Sequence, residues 1–301
     1  MTEARIERTE LPEPRYEFGG DDHVFVELDE AMSFDANFQA MAITQQISDR
    51  DIAGVTEICP ANASYMVRFD PDSISPESMV EELKEIAAET DISEFSWETR
   101  IVTIPVLFQD PWTHETLMRF RDHHQDPDGT DLEYSAHING FDTVEGFIDA
   151  FVGAPHMVTM VGFVPGLPWC FQMVPRNEQL EVPKYLQPRT DTPSRAVGFG
   201  GAFSVVYPVK GAGGYQLYGR TPVEVLDVDQ QLPDFHDSMV FPNPGDILNY
   251  RSIDREEYNA IREEVEDGTY EFTSERVEFT PEEFFIAPHE YNEELTEVLS
   301  A

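Results

Sequence analysis

Lysine is almost missing from this chain: Lys84, Lys184 and Lys210 are the only three in 301 residues. Cysteine is scarcer still, with Cys59 and Cys170 alone. Two cysteines make neither a disulfide framework nor a zinc cluster, and they fit a reducing compartment, so a cytoplasmic protein is expected. No run of about 18 apolar residues occurs, which leaves no candidate for a bilayer-spanning helix. The opening MTEARIERTELPEPR is charged and lacks an apolar stretch. It reads as a mobile tail over residues 1–18 rather than a secretory leader.

Basic residues as a whole are outnumbered, 19 against 59 acidic, for a net charge of −40. Such a charge repels nucleic acid and anionic membranes, so neither is expected as a partner. Disorder would also fit the charge, but 41% apolar and 12% aromatic residues with clear periodicity argue against it. Acid spread along the whole chain points to a halophilic source, where salt screens self-repulsion.

Periodicity then divides the chain. His23–Leu28 alternates as a strand, and Phe34–Arg50 carries Phe38, Met41 and Ile47 on one helical face. Strands at 54–59 and 64–69 follow. A helix opens at Ser75-Pro76, where serine caps and proline takes the first turn. Ile101–Phe108 is the next strand, and its Pro105 predicts an edge or a bulge. The order β-α-β-β-α-β predicts a ferredoxin-like α+β domain over residues 19–100. Residues 101–250 contain a short helix after Asp142-Thr143. Short strands broken by Gly and Pro follow, among them MVTMVGF, AFSVVYP, GYQLYG, VEVLDV and DILNY, which predict a compact barrel or sandwich. Residues 251–301 form an acidic C-terminal extension.

Three stretches carry candidate chemistry. KGAGGYQLYGRTP, residues 210–222, looks like a phosphate cradle but fails both standard ones. Lys210 precedes the glycines, unlike a P-loop lysine, and Gln216 stands where a dinucleotide fingerprint needs glycine. Pro222 also disfavours helix at Thr221. The plainer reading is a turn between strands, with glycines that admit close backbone approach. GFVPGLPW, residues 162–169, is a rigid loop after a strand, with Trp169 and Phe171 as pocket walls or a barrel cover. KYLQPRTDTPSRAVGFGG, residues 184–201, concentrates cations in a chain poor in them. Lys184 and Arg189 suit an anion, while Arg195 reads as ordinary salt-bridging. His123-His124 lack any metal-ligand spacing and read as exposed loop histidines, so no metal is expected. Cys170, without a placed histidine, reads as a small apolar residue. No Ser-His-Asp grouping is present.

GFVPGLPW, PRTDTP, VGFGGAFSVVYP, GAGGYQLYGRTPVEVLD and PGDILNY, in that order, resemble the allophanate hydrolase subunit 1 family. That family is also called the 5-oxoprolinase B subunit or carboxyltransferase-domain family. GF-x-PG-x-P is similar to its stand-alone subunits. KY…PRT…TP…AVG-x-GGA, GGYQ and the segment Asp254–Phe285 are similar to members fused within urea carboxylase. Many stand-alone members carry a histidine where Phe151 stands here. The resemblance implies a ferredoxin-like domain followed by a cyclophilin-like β-barrel carboxyltransferase domain. It also implies a subunit whose active site is shared with a subunit 2 homologue. The expected activity is ATP-dependent hydrolysis of a small amide or lactam. One alternative is the carboxyltransferase half of a biotin-dependent urea carboxylase, with biotin on a partner protein. The other is a non-catalytic, kinase-inhibitor-like binding protein. On this reading Lys184, Arg189 and Arg220 are the catalytic candidates, with Lys184 and Arg189 stabilising an anionic intermediate. Gly213, Gly214, Gln216 and Thr221 shape the substrate pocket with Arg220, and Pro165 and Gly166 set the loop facing the partner.

Overall fold

The computed structural model describes residues 5–300. Residues 1–4 of the expected tail, and Ala301, lie outside the described residues. The chain divides into two compact units, one of residues up to 98 with 278–287, the other of 99–277 with 288 onward. The sequence contains α+β elements throughout, and both units mix helices with sheet.

The first unit begins with β1 (Arg15–Phe18), β2 (His23–Glu27), α1 (Phe34–Asp49), β3 (Val55–Ala61), β4 (Ser64–Phe69) and α2 (Pro76–Glu89). The helix starts follow capping chemistry. The Ser33 hydroxyl accepts from Ala36 N at 3.1 Å, and Ser75 caps α2 ahead of Pro76. The sheet is antiparallel in the order β1-β2-β4-β3. Alternation puts Val24, Val26, Tyr65, Val67 and Phe69 on one face, where they pack on Ile43 and Ile47 of α1 and Met79, Leu83 and Ile86 of α2.

Two sequence expectations change here. Residues 15–18, read as tail, pair with β2, and Ile6 is buried with its N–H on Phe285 O at 2.9 Å. The strand read as the last ferredoxin element, Ile101–Phe108, is not in this sheet; β1 occupies the place beside β2.

The second unit contains β5 (Trp97–Phe108), α3 (Pro111–Arg119), α4 (Asp131–Ile138), α5 (Val144–Val152), β6 (His156–Val161) and β7 (Pro168–Gln172). It continues with β8 (Arg189–Thr192), β9 (Ala196–Gly200), β10 (Phe203–Val206), β11 (Gly211–Gly213), β12 (Gln216–Arg220), β13 (Ile247–Ser252) and α6 (Arg255–Glu266). The chain ends through β14 (Ser274–Phe279), α7 (Pro281–Ile286) and α8 (Pro288–Glu297). Strands run in the order β12-β9-β10-β7-β6-β13-β5, and β5 pairs back onto β12 through Phe108↔Gly219 and Leu107↔Arg220. Seven strands therefore close a barrel, with β14 added beside β5. Its core holds Val106, Val197, Phe199, Tyr218, Leu248 and Tyr250, with Phe147 and Phe151 of α5. Phe151 meets the Tyr218 ring edge-on at 5.6 Å, so this position is core here.

Pro105 sits mid-strand, not at an edge. Thr103 donates to Thr273 O at 2.9 Å, while Leu107 pairs with Arg220 of β12. Pro105 shares their parity, so its missing N–H falls where the neighbouring strand changes. VEVLDV forms no strand; its one sheet-like contact is the bridge Leu226↔Val240. The closing segment is no separate unit. Asn292 of α8 donates to Met173 O at 2.6 Å, and residues 278–287 belong with the first unit.

Candidate functional site

Residues 183–189 are strapped to the glycine stretch. Tyr185 N donates to Gly214 O at 2.7 Å, and the buried Gln216 side chain donates from Nε2 to Pro183 O at 2.8 Å. Arg189 of β8 pairs opposite Gly213 of β11. Lys184, Arg189, Gly213, Gly214 and Gln216 thus lie on paired, neighbouring segments.

Gly213 makes room for side chains, not for a phosphate. A Cβ there would lie 2.6 Å from Tyr207 Oη and 2.7 Å from Thr192 Oγ1. No helix follows; β12 does. Lys210 is taken by Asp191 at 3.1 Å. The stretch therefore does not fit a nucleotide phosphate.

Arg189 is fully buried, yet among the described residues no carboxylate lies within ion-pair distance of it. Its Nε donates to Thr192 Oγ1 at 3.3 Å, its Cζ sits 4.4 Å over the Tyr185 ring, and its Nη atoms lie near the Tyr185 and Tyr207 hydroxyls without a well-aligned hydrogen bond. A buried charge left this way is costly unless an anion or water completes it. Lys184 is exposed and reaches over two rings, 5.1 Å from Tyr215 and 5.8 Å from Trp169. Tyr215 Oη and Trp169 Nε1 are also buried without partners. Burial pushes the Tyr207 and Tyr215 phenols up, and the Arg189 charge opposes this at Tyr207. The wall is thus rich in donors and poor in acceptors, which suits an oxyanion.

Behind it lies a polar network that sequence reading missed. Asp131, at the start of α4, accepts from Tyr185 Oη at 2.5 Å and from Leu217 N at 2.5 Å. His124 Nε2 lies 3.0 Å from Gln216 Oε1 and 3.3 Å from Asp131 Oδ1. Both are acceptors, so Nε2 carries a proton. Nδ1 then accepts from Asp126 N at 2.9 Å when neutral, or donates to Asp126 O at 2.7 Å when charged. Burial works against the charged ring, but Asp131, Asp126 O and Gln216 outweigh it and raise the His124 pKa. His124, read as an exposed loop residue, is buried at 4% exposure. Both ring nitrogens are engaged, so it positions Gln216 and Asp131 and is not free to act as a base. The sequence signal at Asp131 was the Thr130–Glu133 capping box; nothing local marked His124.

Other candidates lie elsewhere. Arg220 ends β12, four residues from Gln216 and so about 13 Å along the strand. Its Nε donates to Ser194 O at 3.0 Å. Thr221 is buried, with its N–H on Arg195 O at 2.9 Å. Pro165 is exposed in the β6–β7 hairpin, and Gly166, at φ +81°, packs where a Cβ would lie 3.1 Å from Leu226 Cβ. Cys170 is buried in the barrel and its thiol is pushed up to about 12, which bars it as a nucleophile.

Residues 14–236 match the carboxyltransferase domain, subdomain C and D, family. The chain is 28% identical over 255 residues to the B subunit of 5-oxoprolinase from Bacillus subtilis (strain 168), covering 81% of this chain and 95% of that protein. It is 26% identical over 295 residues to the urea amidolyase of Saccharomyces cerevisiae, covering 93% of this chain but 16% of that protein. The solved urea carboxylase of Kluyveromyces lactis superposes with a TM-score of 0.81 at 21% identity, over 100% of this chain and 27% of that one. At that identity the likeness is one of fold. A closed seven-strand barrel and a family match spanning most of the sequence lead to one conclusion: the chain belongs to the carboxyltransferase domain, subdomain C and D, family.

Proposed function

We propose that this chain is one subunit of an ATP-dependent amide or lactam hydrolase, of the type of the 5-oxoprolinase B subunit, with an active site completed by a subunit 2 homologue. The observation that carries this reading is Arg189, a buried guanidinium with no carboxylate partner among the described residues, next in space to the segment of the exposed Lys184. Lys184 and Arg189 hold the anionic intermediate. Gly213, Gly214 and Gln216 shape the wall beside them, and Pro165 and Gly166 form the hairpin that faces the partner. Arg220 and Thr221, at the other end of β12, act at the pocket edge only if the partner spans both ends. ATP supplies activation in the complex; the glycine stretch offers it no cradle. The family name and a 5-oxoprolinase relative matched over 95% of its length support this reading.

The test is co-expression with the subunit 2 homologue in molar KCl, followed by ATP hydrolysis with 5-oxoproline, allophanate or urea. Stimulation by one of them, lost in Arg189→Met, is expected. An intact pair stimulated by none would end the reading.

A second reading is the carboxyltransferase half of a biotin-dependent urea carboxylase-like enzyme. It is favoured by the urea amidolyase match over 93% of this chain, too long to leave out the whole closing segment, whose Asn292 bonds Met173 O of the barrel unit. Biotin would be carried on another protein. Carboxylation of urea in the presence of a biotinylated carrier, without lactam-stimulated ATP hydrolysis, would select it.

A further inference from the structure

Positive charge gathers a second time in the barrel unit, around Trp112 in the first turn of α3. Arg220 places its Cζ 4.9 Å from the Trp112 ring, and Arg255, the first residue of α6, places its own at 4.5 Å. Tyr258 packs on the same indole at 5.2 Å. Behind them, Arg195 and Arg262 both donate to Pro222 O, at 3.2 and 2.8 Å, and both approach Glu224 Oε1, at 3.5 and 2.9 Å. Glu266 holds the other fork of Arg262 at 3.2 Å. Asp110, capping α3 through Trp112 N and Thr113 N, lies within the field of Arg220.

The front pair is treated differently from the rear pair. Arg220 Nε donates to a carbonyl, Ser194 O, and Arg255 Nε to the neutral Asn259 Oδ1 at 3.2 Å. Among the described residues neither has a carboxylate within 4.0 Å, in a chain of 59 acids and 19 bases. Arg255 is exposed, and its guanidinium lies over the Trp112 and Tyr258 rings rather than on an acid. The rear pair is matched by Glu224 and Glu266 and braces the surface. Burial first, then Arg220 and Arg262, push the Arg195 guanidinium down, with Glu224 opposing. Two helices, α3 and α6, also begin here, each already capped by a carboxylate, Asp110 and Asp254. A single exposed ion pair contributes little, so an anion must engage several guanidiniums at once to be held. Phosphoryl oxygens match the guanidinium fork and carry more than one charge.

We infer that Trp112, Arg220 and Arg255, backed by Arg195 and Arg262, form a binding surface for a phosphoryl-bearing anion, a free polyphosphate or a nucleoside polyphosphate. Arg255 and Arg262 come from α6, beyond the matched residues 14–236, so the surface is completed by the closing segment of this chain.

The full chain is titrated with pyrophosphate and with ATP, in KCl, by calorimetry and tryptophan emission. Saturable binding is expected, with an emission change that is lost in Trp112→Phe. Affinity should fall at least tenfold in Arg255→Gln and further in the Arg220→Gln, Arg255→Gln double variant. ATP tighter than pyrophosphate identifies a nucleotide whose base stacks on the indole, and equal affinity identifies the free polyphosphate. Saturable binding of neither, or double-variant affinities equal to those of the parent, overturns the inference. Arg255 is exposed, so its variant keeps the fold, which a thermal melt confirms. No partner and no turnover are needed, so this result is independent of the hydrolase reading.

Discussion

The Arg189 guanidinium stacks 4.4 Å over the Tyr185 ring, and the Tyr185 hydroxyl spends its proton on Asp131 rather than facing Arg189 with a charge. The aromatic face offers modest attraction but no counter-charge. Arg189 is therefore held in place without being neutralised.

Replacing it should separate stability from function. Arg189→Met removes a buried charge and strands no carboxylate: Thr192 Oγ1 loses a long hydrogen bond, while Asp131 keeps Leu217 N, Tyr185 and His124. Unfolding in denaturant should show stability unchanged or raised by roughly 1–3 kcal/mol. ATP hydrolysis by the complex should fall to background. A large stability loss in the isolated chain would mark Arg189 as structural.

Two neighbouring glycines should respond unequally to alanine. At Gly213 a Cβ would meet Tyr207 Oη at 2.6 Å and Thr192 Oγ1 at 2.7 Å. At Gly214 the nearest atom is Pro188 Cα at 3.9 Å. Gly213→Ala should cost about 1–3 kcal/mol by overpacking, and Gly214→Ala less than about 0.5 kcal/mol. Equal costs would contradict the packing described for Tyr207.

His124 and His156 should give stability opposite pH slopes. The His124 pKa is raised, so its contribution is full below the unfolded value and lost as pH rises through the folded one. His156 is buried against Phe151 O and Ser204, and burial lowers it from 6.5 to about 4. Between those values the unfolded chain takes the proton and the fold does not. Stability should therefore fall by about 3 kcal/mol as pH drops from 6.5 to 4. Urea titrations across pH should show the upper loss vanish in His124→Gln and the acid loss shrink in His156→Gln. Unchanged slopes in either variant would rule out its histidine as the source.

Salt should stabilise the chain strongly. At −40, self-repulsion acts over about 10 Å at 0.1 M salt and about 3 Å at 1 M. Melting temperature should climb steadily with KCl over that range. A melt insensitive to KCl would show that the acidic surface costs the fold little.

Local chemistry was legible in the sequence. The spacing of Phe38, Met41 and Ile47 announced α1, Ser75 announced α2, and Thr143 with the spacing of Phe147, Ile148 and Phe151 announced α5, because caps and a 3.6-residue period act within a few residues. The order of the glycine and proline motifs was enough for the family. What those motifs left open was pairing. Arg15–Phe18 is short and charged, yet it joins β2, while Ile101–Phe108 goes into the barrel. VEVLDV alternates like a strand and finds only a bridge. Pairing depends on which partners are nearby, and a strand's own sequence does not state that.

The candidate site divides in the same way. Composition alone made Lys184 and Arg189 stand out, since cations are rare here, and the glycines marked a close approach. Only the tertiary structure made Arg189 a buried cation without an acid, and joined His124 to Gln216 across 92 residues. It also moved Arg220 to the far end of β12, beside a helix lying outside the family's motifs. Residue identity determines which charges exist. Burial and partners decide what those charges cost, and both are set by contacts distant in the chain.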